Sequence, residues 1–462
     1  MKEWYDTDFH INLLDIEIAL PLLLELKKRG DLKAVKHLSM TIIRYISRDY
    51  PVTDRKFIFR GEWFTHCTMK DLVARAIESS HFTTIMRKYK ETSSVINYYK
   101  KNYGNQWTYH PHINVFLNKI KEKKYVIVND KLVLYTEQMN LSNMGIKTLK
   151  EIKGYERLEA QLELDGNELE DIDSIVDLKG ILHLNLNGNK LKTLPDGIGK
   201  FSMMRTLRIN DNKLESLPDS IGELKSLKSV YLSRNNLKEL PESFGKLENL
   251  EFLRLKGNKL KKLPESFGNL KNLKNLELDG NELKNLPSSI RNLTELAFLD
   301  ISCNKMESFP ESLMEMEKLQ HLNMGRNKLT KIPKSICGLK SLIILQVSGN
   351  QISEIHGNIG DLPHLEEFRV NENQLKAIPA PIGNLSNLKV LTLGYNMIEE
   401  IPEDVGNLKN LTSLDLRNNQ LSTLPASLQN LTSLKSLSVS SNNIKEIPVG
   451  ILMLKNLQRF NG

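Results

Sequence analysis

Residues 227–249 read LKSVYLSRNNLKELPESFGKLEN, and residues 250–272 read LEFLRLKGNKLKKLPESFGNLKN. This near-identity decides the fold, because self-similarity at a fixed period is the mark of a repeat architecture. One asparagine per unit keeps the register: Asn167, Asn189, Asn212, Asn235, Asn258, Asn281, Asn304, Asn327, Asn350, Asn373, Asn396, Asn419 and Asn442. The first spacing is 22 residues and the other eleven are 23. Chance does not produce such a series.

Each unit carries its own structural instructions. The alternating LxL segment has the period of a strand with one buried face. Val230 and Leu232 are thus expected in the core, with Tyr231 outside. The asparagine follows where the chain must turn. Its carboxamide has an acceptor and two donors, and so can satisfy backbone groups in its own and neighbouring units as a ladder. A proline follows in eleven units, from Pro195 to Pro448. Proline fixes φ and forbids a regular strand, so the convex side is expected to return through short 3-10 or extended pieces. His356 replaces proline in one unit, which predicts a local change in the convex backbone.

The unit LxxLxLxxNxLxxLPxxIGxLxx resembles the 23-residue leucine-rich repeat of intracellular Ras-associated scaffolds, of the Ras-suppressor and Erbin kind, and their plant and prokaryotic relatives. It covers residues 136–462, which is 327 of 462 residues, in about 14 units. The first unit is degenerate, with Met144 where the asparagine belongs. The resemblance implies an α/β fold: a curved leucine-rich-repeat solenoid with a parallel β-sheet on its concave face. It implies a non-catalytic scaffold or adaptor in signalling that binds a protein, with a small GTPase or a phosphatase as a candidate partner.

A partner would meet the residues six, four and two before each ladder asparagine, which the repeat grammar does not dictate. Adjacent strands lie about 4.8 Å apart, so like positions stack into stripes. Arg208, Tyr231, Phe252, Arg254 and Lys256 form a basic, aromatic zone. Glu277, Asp279 and Asp300 follow as an acidic zone with Phe298 beside it. His321, Ile344, Gln346 and Arg369 make a mixed zone. Exposed aromatic and arginine side chains clustered mid-array suit a binding surface. The competing reading is that Phe252 and Phe298 only cover their neighbours in the sheet. The last exposed strands carry mostly serine, at Ser413, Ser436, Ser438 and Ser440, and look inert.

The N-terminal quarter is built differently. Residues 1–133 hold 23 Lys+Arg against 15 Asp+Glu, and the remainder holds 41 of each, so the net charge of +8 sits entirely there. All three tryptophans, Trp4, Trp63 and Trp107, lie there too. Residues 1–124 read as a basic, aromatic-rich helical domain, and YVIVNDKLVLY (residues 125–135) as a hairpin turning at Asn129–Asp130. A solenoid needs its first core layer covered, and the hairpin is placed to cap it. A rival reading is a winged-helix nucleic-acid module with the repeats as a protein tether. Lys119, Lys121, Lys123 and Lys124, or Lys88, Lys90, Lys100 and Lys101 with Tyr98, Tyr99 and Tyr103, would then meet phosphates. Charge runs are more often solvated faces.

Chemistry is sparse. No phosphate-binding glycine loop, nucleophile elbow, kinase signature or HExxH is present. The reading is therefore not an enzyme, with no catalytic residue, no cofactor and no metal. His66, Cys67, His110 and His112 match no standard zinc spacing. Cys67, Cys303 and Cys337 are odd in number and widely spaced, so they make no disulfide framework. Cys337 replaces the glycine of IGxL, read as a packing substitution. The opening MKEWYDTDFH has no signal-peptide layout, and Ile11–Leu26 is interrupted by Asp15, Glu17, Pro21 and Glu25, so it cannot span a membrane. The expected compartment is cytoplasmic. The last unit starts at Leu457 and stops at Gly462. Its layer is closed by that half-strand, covered by a second chain, or cut short.

Overall fold

A computed structural model describes residues 125–128, 131–134, 138–152, 160–178 and 180–462. The chain divides into two compact units, the second made of Leu141–Thr148 and Ala160–Gly462. Tyr125–Val128 pairs antiparallel with Lys131–Leu134, with Tyr125 opposite Leu134 and Val128 opposite Lys131. The helices expected over 1–124, the lysine clusters and the His/Cys residues considered for zinc lie outside the described residues.

The second unit is a curved solenoid built on one parallel sheet that runs from Ala160–Glu163 to Arg459–Asn461. Each repeat adds a short strand, such as Ser229–Tyr231, Phe252–Arg254, Asn275–Glu277 and Phe298–Asp300. Val230 and Leu232 are buried while Tyr231 between them is half-exposed, as alternation demands. The 22-residue spacing carries through the strand pair, with Gln161 opposite His183, Leu162 opposite Leu184 and Glu163 opposite Asn185, and the register shifts only between Ala160 and Gln161.

The turn after each strand is held by the asparagine. Asn258 Nδ2 donates to the carbonyl oxygens of Leu232 and Leu255, each at 2.9 Å, while its Oδ1 accepts from the Leu237 N–H at 3.0 Å. One carboxamide thus joins adjacent repeats. The same pattern recurs along the array, and the asparagines from Asn167 to Asn419 are buried. At the degenerate first unit, Asn167 Oδ1 accepts from both Met144 and Ile146 N–H, at 2.9 and 3.1 Å. The residue before each asparagine is left-handed: Arg234, Cys303 and Arg326 have φ of 53–54°. A non-glycine residue there carries a steric cost of roughly 1–2 kcal/mol.

On the convex side each repeat proline from Pro195 to Pro425 stands directly before a 3-10 helix, and Pro448 before a short α-helix, Val449–Leu452. Pro241, at φ −68°, precedes Glu242–Lys246, and its carbonyl accepts from Phe244 N–H at 2.9 Å. Proline has no N–H to leave unpaired at this helix start. Phe244 and Phe267 are fully buried, their rings parallel within 4° and 6.5 Å apart. The glycine of the IGxL phrase has a packing reason. A Cβ on Gly245 would strike the backbone carbonyl oxygen of Ser266 in the next repeat.

The unit with His356 differs, and the missing proline explains how. The His356 N–H donates to the Ile332 carbonyl at 3.2 Å, beside a short parallel pair of Lys331–Ile332 and Glu354–Ile355. Proline could not make that bond. His356 Nδ1 in turn accepts from Asn358 N–H at 3.2 Å and caps the helix Gly357–Asp361. Cys337, at a glycine position, is half-exposed, and its thiol donates to the Lys334 carbonyl at 3.4 Å.

Candidate protein-binding face

Strand pairing brings the candidate residues onto one sheet face as three rows. Arg208, Tyr231, Arg254 and Glu277 sit side by side across successive strands. Asp300, Asn323, Gln346 and Arg369 continue that row. Phe252, Asn275, Phe298, His321 and Ile344 form the second row. Lys256 and Asp279, two residues before their asparagines, belong to the third.

Within these rows the side chains sort differently from the zones read in the sequence. Tyr231 is held between two guanidiniums, with Arg208 Cζ and Arg254 Cζ each 5.4 Å from its ring centroid. Cation–π contact of this kind fixes an aromatic side chain without covering it. Arg254 also reaches Glu277 at 2.9 Å, and Lys256 reaches Asp279 at 3.0 Å. The basic and acidic zones are therefore sutured along their border by ion pairs. Asp300 is satisfied by Ser302 Oγ at 2.6 Å and Asn323 Nδ2 at 2.9 Å. Arg369 pairs with Glu367 on its own strand at 2.8 Å.

The two phenylalanines part company. Phe298 is half-buried, its ring 5.8 Å from that of His321. Phe252 has Ser229 and Asn275 as row neighbours and remains 40% exposed. Covering a neighbour accounts for Phe298 and not for Phe252.

Burial pushes the Glu277 carboxyl above its usual range; Arg254 opposes this, and the nearby Asp279 and Asp300 add to it. Asp279, by hydrogen bond and charge, raises Lys256. Burial lowers the His183 imidazole, helped by the positive charge of Arg208 and Arg205.

Two features escaped the sequence reading. Tyr395, left-handed at φ 58°, is 49% exposed with Arg417 Cζ 5.6 Å from its ring. The usable signal was an aromatic where none of the other turns carries one. Met203, 65% exposed, lines an open cavity of about 350 Å³ with Val176, Ile181 and Phe201. Among the described residues no group of three or more His, Cys, Asp or Glu could hold a metal ion. None of their helices is long and apolar enough to cross a membrane.

Known proteins share this architecture. No curated protein matches the chain significantly. Among solved structures, a leucine-rich-repeat protein of Leptospira interrogans is 32% identical, with a TM-score of 0.53, over 70% of this chain and 95% of that one. The plant peptide hormone receptor RGFR1, solved in complex with RGF2, is 28% identical at a TM-score of 0.51, over 65% of this chain and 58% of that one. An internalin from Listeria monocytogenes shares the fold at 22% identity and a TM-score of 0.55, over 72% of this chain and 90% of that one. The family described as leucine-rich repeat region matches residues 157–253, 222–322, 268–377 and 378–462. With its asparagine ladder, parallel sheet and proline-led 3-10 turns, the chain belongs to the leucine-rich-repeat family.

Proposed function

We propose that this chain is a non-catalytic interaction scaffold or adaptor that captures a protein on the sheet face between Thr206–Arg208 and Glu367–Arg369. The observation that carries the reading is Phe252, 40% exposed, one strand from a tyrosine clamped by two arginines. Large aromatic side chains on a solvent-facing strand are unfavourable unless something covers them, and Tyr and Arg are frequent binding hot spots. The similarity to a peptide hormone receptor solved with RGF2 supports capture of a polypeptide by such an array. The finer reading adds a role in cytoplasmic signalling, with a small GTPase or a phosphatase as partner. The resemblance of the repeat unit to Ras-associated scaffolds motivates it.

The test is affinity capture from native lysate with mass spectrometry, comparing wild type with Tyr231→Ala/Phe252→Ala. The double variant should lose specific partners while its circular dichroism melt stays unchanged. An unaltered set of captured proteins would remove this face from the proposal.

A further inference from the structure

We propose that Arg208 receives a carboxylate side chain from an extended acidic segment of the partner, with a nearby apolar side chain of that segment seated on Phe252. This rests on the concave-face reading and assigns the chemistry that the face selects.

The three rows from Gln161 to Ser440 carry five permanent cations: Arg208, Arg254, Lys256, Arg369 and Arg417. Four have a carboxylate on the same face. Arg254 meets Glu277 at 2.9 Å, Lys256 meets Asp279 at 3.0 Å, Arg369 meets Glu367 at 2.8 Å and Arg417 meets Asp415 at 3.1 Å. Arg208 alone has no carboxylate partner among the described residues. Its neighbours explain why. On one side, Asn185 Nδ2 engages Glu163 at 2.6 Å and Asp165 at 3.2 Å. On the other, Tyr231 stands between Arg208 and the acidic strand of Glu277.

Arg208 Cζ lies 5.4 Å from the Tyr231 ring centroid, and among the described residues the guanidinium N–H donors meet no carboxylate. Those donors match a carboxylate in a two-pronged geometry. Arg205 is a second positive charge near His183, where Glu163 acts in the opposite sense. Phe252 lies two strands from Arg208. Two strand spacings are about 10 Å, which an extended segment crosses in roughly two or three residues. An acidic residue and an apolar residue at that separation reach both anchors together.

The experiment uses random dodecapeptides displayed on phage, selected on the full chain. Wild type should enrich Asp or Glu two or three positions from Leu, Ile or Phe. Arg208→Met should lose the acidic preference and keep the apolar one. Arg208→Lys should keep a reduced acidic preference. Synthetic winners should bind about tenfold more tightly than their Glu→Gln forms to wild type, and equally to Arg208→Met. No acidic enrichment on wild type, or the same enrichment on Arg208→Met, overturns the assignment. Tighter binding of a phosphoserine form than of the Glu form overturns it in favour of phosphate. Identical pools from wild type and Tyr231→Ala/Phe252→Ala would instead defeat the concave-face reading itself.

Discussion

Arg254 lies 2.9 Å from Glu277 while its guanidinium carbon sits 5.4 Å from the Tyr231 ring centroid. One side chain thus couples the aromatic and the acidic halves of the face. Arg254→Met leaves Glu277 partly buried without its cation, so the Glu277 midpoint should rise further above its usual value. A group whose folded midpoint is raised supplies stability below its unfolded midpoint and loses it as pH rises through the folded one. The variant should therefore match wild type near pH 3 and fall behind as pH rises towards neutral. The loss should be about 1 kcal/mol or less, because Arg254 is largely exposed. Urea melts at both pH values read this directly. An equal difference at the two would refute the coupling.

His183 offers a second titration. Arg208 and Arg205 add to the effect of burial in lowering it. Its imidazole should titrate below the ordinary value of about 6.5, and Arg208→Met should raise the midpoint. NMR of the imidazole protons measures both. A midpoint unmoved by Arg208→Met would mean the guanidinium points away from His183 in solution.

The ladder predicts unequal costs along the array. In Asn258→Ala the Leu232 and Leu255 carbonyls keep donors from Asn235, at 3.1 Å, and Asn281, at 3.0 Å. The buried Leu237 N–H loses its acceptor. The expected loss is about 2–3 kcal/mol. Asn442 is only part-buried, so water can replace part of what Asn442→Ala removes, and its cost should be smaller. Chemical denaturation of the two variants compares them, and equal losses would contradict the burial argument.

Two glycines in the same kind of helix should answer oppositely to alanine. Gly245→Ala drives a Cβ into the Ser266 carbonyl, a backbone atom that cannot step aside, and should cost about 1–3 kcal/mol. At Gly357 the added Cβ meets only Pro381 Cγ, at 3.5 Å. Gly357→Ala should be neutral or mildly stabilising, because alanine restricts the unfolded chain. Thermal melts distinguish the two. A destabilised Gly357→Ala would show that this convex turn needs glycine for another reason.

The repeat period, the buried alternation of Val230 and Leu232, and the membership of the three exposed rows are all legible in the sequence. Each follows from a local rule, and a parallel sheet maps a 23-residue spacing directly onto strand neighbours. The change at His356 was legible as a place but not as a form. Its extra N–H mattered only because Ile332 lay within reach.

Repeat grammar alone therefore specifies the solenoid, its asparagine ladder and the set of residues that could meet a partner. How those residues treat one another is set by side-chain packing across the strands. Grammar allotted Arg208 and Arg254 the same position. Packing gave Arg254 a carboxylate one strand away, while Arg208 has Asn185 and Tyr231 as its strand neighbours and no carboxylate partner among the described residues. Such pairing depends on side-chain direction and on the identity of both neighbours, which are brought together across strands only when the repeats stack.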